Sequence, residues 1–239
     1  DPAAVEKEQA LLVRTPYERA ALLYRMSHLA IVGKFSEAAG LIPTIQDLGV
    51  RTNAPALGSQ TTKDLDVSKA VAGDCQASSE GIGSLNEAEI RLACGENERV
   101  AAFAEEVLKR PDLTADNTAV CRALFALAKH LPQQAIDVLS PLRSGRADTF
   151  AAPFRALAYM DLNKPKEAAI EFRKLVSHKS QSLDFQYARR RVQLARALAA
   201  AGNTAEAKKT YEAFFNLWKD ADPGIPLMDA ARKEYAALR

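Results

Sequence analysis

Residues 202–207 run Gly202-Asn203-Thr204-Ala205-Glu206-Ala207, between two helix-favouring segments. The same order recurs at residues 33–38 and 163–168: a Gly or Asn, a short polar turn, and then Ala at a fixed offset. Weaker copies lie at residues 95–100 and 130–135. Gly and Asn tolerate the left-handed backbone that ends a helix. The pattern therefore predicts pairs of helices joined by tight turns.

The final residue of each copy is small or β-branched and defines a period. These residues are Ala38, Val100, Ala135, Ala168 and Ala207. The last three spacings are 35, 33 and 39 residues, which bracket the period of about 34 residues that tetratricopeptide repeats show. A small side chain at this point lets the second helix of a pair cross the first one closely.

Apolar residues follow this position at offsets of four and seven. They are Ile42 and Ile45, Ala104 and Val107, Leu139 and Leu142, Phe172 and Leu175, and Tyr211 and Phe214. This spacing forms the buried face of an amphipathic helix, and alternation typical of strands is nearly absent. We predict an all-α solenoid of stacked antiparallel helix pairs, with at least four pairs over 84–239 and no strand.

The repeat pattern predicts one domain over residues 1–239. Its repeats are expected at 16–48, 84–110, 114–144, 149–179 and 185–219, with a capping helix at 226–238. Residues 61–83 are interpreted as a truncated repeat. A loop is expected from Gly49 to Gln60, followed by a helix over 61–72 that ends at Gly73. Capping boxes are expected at residues 15–18 and 84–87, where a hydroxyl residue precedes a Glu by three positions.

Composition restricts the function classes. The net charge is +2, whereas nucleic-acid binding usually needs a strongly basic face. The charge is uneven, however: residues 1–110 hold 12 basic and 16 acidic residues, and residues 111–239 hold 20 and 14. No apolar run reaches the roughly 18 residues of a membrane span, so no direct membrane insertion is expected. The chain begins with Asp1-Pro2 rather than Met, which predicts a piece of a longer protein.

The C-terminal segment resembles a known family. Leu194 to Leu198, residues 202–207, the segment Tyr211 to Pro223 and the segment Ile225 to Leu238 together are similar to the C-terminal tetratricopeptide region of bacterial serine/threonine protein kinases and winged-helix transcriptional regulators. The resemblance implies a bacterial accessory domain that binds partners, in the cytoplasm or in an extracytoplasmic part of a membrane-anchored parent. Kinase motifs such as a Gly-rich phosphate loop are absent from this sequence, so kinase activity is not implied.

Residues that could carry chemistry are isolated. His28, His130 and His178 have no metal-ligand neighbour at helical spacing, and the Glu87/Glu89 pair is interpreted as a solvated helix face. We predict no catalytic site, no metal and no cofactor. Cys75, Cys94 and Cys121 lack zinc spacing and are interpreted as buried or unused thiols. The alternative is a disulfide between Cys75 and Cys94 if the protein is exported, with Cys75 opening one helix and Cys94 closing another.

The cluster Arg189-Arg190-Arg191, together with Arg196, has two interpretations: a solvated basic helix face, or a groove that receives an acidic or carboxylate-ended partner segment. The predicted first helices place one candidate peptide-binding set along such a groove. It comprises Asn117, Cys121, Leu124, Phe150, Phe154, Leu157, Met160, Arg189, Gln193 and Arg196. The alternative is that Phe150, Phe154 and Leu157 pack against a neighbouring helix.

Two function classes follow. The first is a non-catalytic protein-interaction or sensor module, a scaffold within a larger signalling or regulatory protein. The alternative is an accessory nucleic-acid-binding module that uses the basic C-terminal half. The scarcity of aromatic residues among the basic ones favours the protein-binding module.

Overall fold

The computed structural model of the chain describes residues 11–76, 81–177 and 186–238. Within these ranges all regular secondary structure is α-helical. The helices are α1 Glu18–Ile31, α2 Phe35–Gly40, α3 Ile42–Arg51, α4 Ala56–Val71, α5 Leu85–Ala93, α6 Asn97–Leu108, α7 Ala115–Ala128, α8 Pro132–Leu139, α9 Gly145–Asp161, α10 Pro165–Ser177, α11 Tyr187–Ala200, α12 Thr204–Leu217 and α13 Pro226–Ala237. The predicted all-α class is confirmed.

Helices that follow one another in sequence pack against one another. From α5 to α12 they form four pairs, α5 with α6, α7 with α8, α9 with α10 and α11 with α12. The first helices of neighbouring pairs also touch, as α5 and α9 both contact α7. This sequential pairing is consistent with a helical repeat, and the four pairs expected beyond residue 84 are present.

The predicted turn residues adopt the backbone conformation on which the prediction rested. Gly33, Gly95 and Gly202 have φ angles of 79°, 76° and 80°. His130 and Asn163, at the equivalent position of other pairs, have φ of 56° and 54°. After each of them, the next amide N–H donates to the carbonyl five residues earlier. These bonds satisfy carbonyls that the helix end leaves free.

The recurring small residue is fully enclosed in every copy. Ala38, Val100, Ala135, Ala168 and Ala207 all have 0% exposure. A larger side chain at these positions would have to displace the partner helix, because protein interiors are close-packed. The burial of these positions agrees with the prediction that a small side chain there lets the paired helices cross closely.

The two predicted capping boxes have different outcomes. Ser84 caps α5, since its hydroxyl accepts from the Glu87 amide at 3.2 Å, while Glu87 accepts from the amide of Gly83 at 2.5 Å. At the first helix the prediction is wrong. The α1 helix begins at Glu18 without a side-chain cap, and the Glu18 carboxylate accepts from Arg51 at 2.9 Å instead.

The predicted loop from Gly49 to Gln60 is also wrong. The α3 helix continues to Arg51 and α4 begins at Ala56, so only residues 52–55 connect them. Pro55 precedes the first turn with φ −63°, which suits a helix start. Gly58 lies inside α4, where a Cβ would come within 2.3 Å of Gln46 Cγ. This glycine permits close helix packing and does not mark a loop. The helix end at Gly73, with φ 94°, is confirmed.

The two ends of the chain share one hydrophobic core. Apolar side chains of α1–α4, such as Leu29 and Leu65, cluster with Phe214, Trp218 and Leu227 from the C-terminal helices. We call this cluster the closing core. Three hydrogen bonds reinforce it: Trp218 Nε1 donates to Ile31 O at 2.8 Å, the Asp222 amide to Gly33 O at 2.9 Å and the Leu227 amide to Ala72 O at 3.0 Å. The predicted capping helix α13 therefore packs on α12 and also contacts the N-terminal unit.

Gly33 is required in the closing core for two reasons. Its φ is in the left-handed region, and a Cβ there would lie 2.8 Å from Ala221 Cβ and 3.1 Å from the Trp218 ring. A glycine is thus the residue that allows both the turn and the close approach of the C-terminal segment.

Cys75 and Cys94 form a disulfide, with their Cα atoms 5.6 Å apart. Cys94 is the C-cap of α5, as predicted. Cys75 lies in a turn after α4, so the prediction that it opens a helix is wrong. The interpretation of the cysteines as unused thiols holds only for Cys121, which is free and buried. The disulfide ties the N-terminal unit, α1–α4, to the first pair of the array.

Candidate binding groove

One face of α9 presents a stripe of accessible side chains. Arg146, Phe150, Leu157 and Asp161 fall within an arc of about 60° at 3.6 residues per turn, and we call them the α9 stripe. Phe150 is 46% exposed and Leu157 is half-buried. The Arg146 guanidinium lies 5.3 Å from the centroid of the Phe150 ring, in a cation–π contact. The stripe runs from a cation through two apolar groups to a carboxylate.

A cleft of about 310 Å³ adjoins the stripe. It lies where the C-terminal ends of three first helices, α5, α7 and α9, come together. Its lining residues are Leu92, Ala93, Gly95, Asn97, Leu127, His130, Leu157 and Asp161. Three leucines, one from each helix, supply the larger apolar groups of this lining, and Asn97, His130 and Asp161 supply its polar side chains. The polar side chains stand at its rim.

His130 occupies an unusual position at this rim. It ends α7 in the left-handed conformation, which costs a residue with a Cβ about 1–2 kcal/mol. Its Nε2 lies 3.1 Å from Asn97 Nδ2. A second cavity, of about 550 Å³, also borders His130 and shares Gly95 and Asn97 with the first.

Most charges around that second cavity are paired. Lys129 Nζ lies 3.1 Å from Glu98 Oε2, and Glu96 receives both Arg91, at 2.8 Å, and Arg99. Asp161 differs from them: its side chain is exposed and has no ion pair or hydrogen bond among the described residues. Partial desolvation at the end of α9 raises the pKa of its carboxyl above the ordinary value, and His130 opposes this shift.

The structure divides the ten predicted groove residues into two groups. Asn117 and Phe150 are exposed, and Leu157, Met160 and Arg196 are half-buried. The other five are buried: Cys121, Leu124, Phe154, Arg189 and Gln193. Phe154 and Leu124 belong to the core between α7 and α9, as the alternative interpretation of Phe154 stated. The accessible members concentrate on α9.

The predicted basic cluster has partners inside the protein. Arg189 and Arg190 lie 3.8 and 3.7 Å from the carboxylate of Glu89, which is itself only 2% exposed. The interpretation of Glu89 as part of a solvated face is therefore wrong. Burial lowers the pKa of Arg189, while Glu89 opposes this. The first helices α5 and α11 thus meet across the inner side of the array.

Arg196 is also engaged. Its Nε and Nη2 donate to Glu234 at 2.9 and 2.8 Å in a two-pronged pair, and the Tyr211 hydroxyl donates to the same carboxylate at 2.7 Å. Burial raises the pKa of Tyr211, and the bond to Glu234 adds to the effect. This network fixes α13 on α11 and α12 and leaves Arg196 little capacity for a ligand.

Other chemistry-bearing residues do not converge. Within residues 11–76, 81–177 and 186–238, no group of three or more His, Cys, Asp and Glu side chains could hold a metal ion. In the same ranges no helix is long and apolar enough to cross a membrane. His28 and His130 lie on different helical units, and His178 lies outside the described residues. Burial raises the pKa of the Cys121 thiol, which reduces its reactivity.

No protein-family model, curated protein or solved structure matches the chain. The functional argument therefore rests on the geometry of the groove.

Sequence reasoning missed Asp161 and His130 as rim residues. Comparing the same position in successive repeats would have pointed to Asp161. The position two residues before each turn residue holds Ile31, Ala93, Ala128, Asp161 and Ala200. Only α9 carries a charge there.

Proposed function

We propose that the chain is a non-catalytic protein-interaction module that binds a segment of a partner protein along the α9 stripe and the adjoining cleft. The observation that carries this proposal is the exposed Phe150 on the same face of α9 as Leu157, which lines the cleft together with Leu92 and Leu127. An exposed aromatic next to an apolar concave surface is typical of interaction sites.

The repeat type belongs to the same proposal. Left-handed turn residues, fully buried alanines and sequential helix pairs support the interpretation as a tetratricopeptide-type solenoid, which presents its first helices to a ligand. The resemblance of the C-terminal segment supports an accessory role within a larger bacterial signalling or regulatory protein. In such arrays the groove, rather than a catalytic centre, is the functional element.

The proposed lack of catalysis agrees with the way buried charges are used. Arg155 is fully buried and donates to Glu171 Oε2 at 2.9 Å, to Leu142 O at 2.7 Å and to Asp148. Lys174 Nζ lies 3.1 Å from the same Glu171 carboxylate. These charges hold α9 against α10, since buried ions need close partners.

The disulfide supports an extracytoplasmic location for this region. Disulfides persist in oxidising compartments and are rare in the cytosol. Cys75 and Cys94 are tied together, so we propose that the chain folds outside the cytoplasm as part of its parent protein.

Nucleic-acid binding, the alternative, has less support. Arg173 lies 2.7 Å from Glu206, Arg196 is held by Glu234, and Arg189 adjoins Glu89. Basic side chains of the C-terminal half that are paired in this way offer little uncompensated charge to phosphates.

The test uses Phe150→Ala and a matched control. A library of random twelve-residue peptides is selected on the purified chain, and the affinity of an enriched peptide is measured for both variants. Phe150→Ala should cost about 1–3 kcal/mol of binding with little loss of stability. Ile170→Ala removes an apolar side chain of 54% exposure from α10 and should leave binding unchanged. If no peptide distinguishes the two variants, the proposed groove is wrong. Salt-sensitive binding of random DNA, insensitive to Phe150→Ala, would favour the alternative.

A further inference from the structure

Asp161 is an unusual residue for its position. It is the last residue of α9, where the helix dipole places partial negative charge and a carboxylate is unfavourable. In the part of the chain that the structure describes, no ion pair or hydrogen bond reaches its carboxylate. The equivalent residues of the neighbouring first helices, Ala93 and Ala128, are uncharged. Asp161 is exposed, so a charge is tolerated here, but no hydrogen bond or ion pair among the described residues requires it.

The surroundings of Asp161 create a local negative potential next to apolar surface. The helix terminus and the carboxylate act in the same direction, while Leu157, Leu127 and Leu92 lie along the cleft. The titratable group facing Asp161 across the cleft is His130, whose Nε2 lies 3.1 Å from Asn97 Nδ2 and which favours the ionised form of Asp161. The nearby cation Lys129 is paired with Glu98. A cation supplied from outside would therefore find an exposed carboxylate at the edge of a cleft that three leucines help to line.

The size of the cleft restricts the ligand. About 310 Å³ is at the small end of the range of about 300–1,000 Å³ for ligand pockets. It suits a single large side chain better than a cofactor. Phe150, two helical turns along the same face from Leu157, extends the apolar contact away from Asp161.

From these features we propose that the cleft recognises a partner segment with a bulky apolar side chain followed or preceded closely by Lys or Arg. The apolar side chain enters between Leu92, Leu127 and Leu157, and the cation binds Asp161. This inference rests on the proposed function. The sequence suggested an acidic partner segment for the basic cluster, whereas the structure favours a basic one. Arg189 and Arg196 are paired with Glu89 and Glu234, while Asp161 has no such partner among the described residues.

The experiment uses the full chain and the peptide library described above. Enriched peptides should carry Leu, Phe or Trp close to Lys or Arg. For one such synthetic peptide, Asp161→Asn should weaken the affinity about tenfold at low salt, and it should remove most of the salt dependence, since exposed charge pairs are screened. Glu105→Gln removes an exposed carboxylate from α6, outside the cleft, and should leave the affinity unchanged.

Folding stability separates recognition from a structural role. Asp161 is exposed and lies at the C-terminal end of α9, where the helix dipole disfavours a carboxylate, so Asp161→Asn should be as stable as the wild type or slightly more stable in urea denaturation, while its peptide affinity falls. Enriched peptides could instead be acidic or uncharged and bind Asp161→Asn as well as the wild type. If their binding still depends on Phe150, this inference is overturned and the proposed function stands. Peptides indifferent to Phe150→Ala would overturn both.

Discussion

Two of the hydrophobic cores of this molecule are built differently. The core between α5 and α9, which we call the array core, consists largely of alanines such as Ala88, Ala104 and Ala123. Its helices are neighbours in sequence. The closing core instead joins residues that are far apart in the sequence, such as Trp218 and Ile31, which are 187 positions apart. It contains aromatic groups, including Phe35 in an edge-to-face contact with Trp218 at 6.3 Å.

The difference indicates two ways of stabilising a chain of helix pairs. Small residues let consecutive helices approach closely, and each pair needs only its neighbours. Joining the two ends requires closure of a long loop, whose entropy cost grows with length. Large apolar groups offset that cost, because buried area determines the gain. The closing core should therefore be the more sensitive region.

The largest expected effect comes from Trp218→Ala. Trp218 is 3% exposed, and its removal should lower the free energy of unfolding by about 3–5 kcal/mol. Urea denaturation followed by far-UV circular dichroism measures the loss. Hydrogen exchange should accelerate in α1–α4 while α7 and α8 remain protected. Equal loss of protection in both regions would contradict the comparison. Trp218→Phe, which keeps a ring but loses the bond to Ile31, should cost about 1 kcal/mol.

The second-largest loss of stability is expected when the disulfide is removed. Replacement of Cys75 and Cys94 by Ser together should cost about 3 kcal/mol, as expected for a loop of this length. Thiol titration checks the pairing: the native protein should show no reactive thiol, because Cys121 is 1% exposed, the denatured oxidised protein one, and the denatured reduced protein three. If the denatured protein shows three free thiols without reductant, Cys75 and Cys94 do not form a disulfide. Cys121→Ala is the control and should keep it.

A pair of glycines compares the two regions directly. Gly33 and Gly202 have φ of 79° and 80°, so Ala at either position meets the same left-handed strain. A Cβ on Gly202 has no neighbour within 4 Å, whereas one on Gly33 meets Ala221 at 2.8 Å. Gly33→Ala should therefore cost about 1–3 kcal/mol more than Gly202→Ala, measured by urea denaturation. Equal costs would mean that the C-terminal segment does not press on Gly33.

The smallest effect concerns the attachment of α13. Burial would raise the pKa of Glu234, but Arg196 and Tyr211 lower it below its usual value. A lowered carboxyl pKa in the folded state gives stability that is present above the unfolded pKa and is lost as the pH falls through the folded value. Glu234→Gln should cost about 1 kcal/mol at neutral pH and nothing in strong acid. Glu105→Gln is the control. If the cost of Glu234→Gln does not change with pH, the ion pair between Glu234 and Arg196 does not contribute as proposed.

Local features of the fold could be predicted from the sequence, because their causes are local. The turn residues Gly33, Gly95 and Gly202, the buried alanines and the four helix pairs follow from spacing alone. Gly58 misled the prediction, because glycine serves close packing as well as loops. Closure could not be predicted, since no periodicity links Trp218 with Ile31.

The residues of the proposed groove could be predicted in part. Spacing along α9 placed Phe150, Phe154 and Leu157 together. Phe150 is exposed, whereas Leu157 is half-buried and packs against the core and Phe154 is buried in it, as the alternative interpretation stated. Arg189 seemed solvated because its partner, Glu89, is distant in sequence. Asp161 carries no motif, and only its contrast with Ala93 and Ala128 draws attention to it.

Trp218 is the only tryptophan in the chain, and it lies where the two ends of the molecule meet. Its indole ring is surrounded by apolar groups and donates to a backbone carbonyl. Fluorescence emission from the native protein should therefore be blue-shifted, and separation of α1–α4 from the C-terminal helices should move it to longer wavelength. The protein thus contains an intrinsic optical reporter of its own closure, which requires no label and can be observed during folding, reduction of the disulfide or peptide binding.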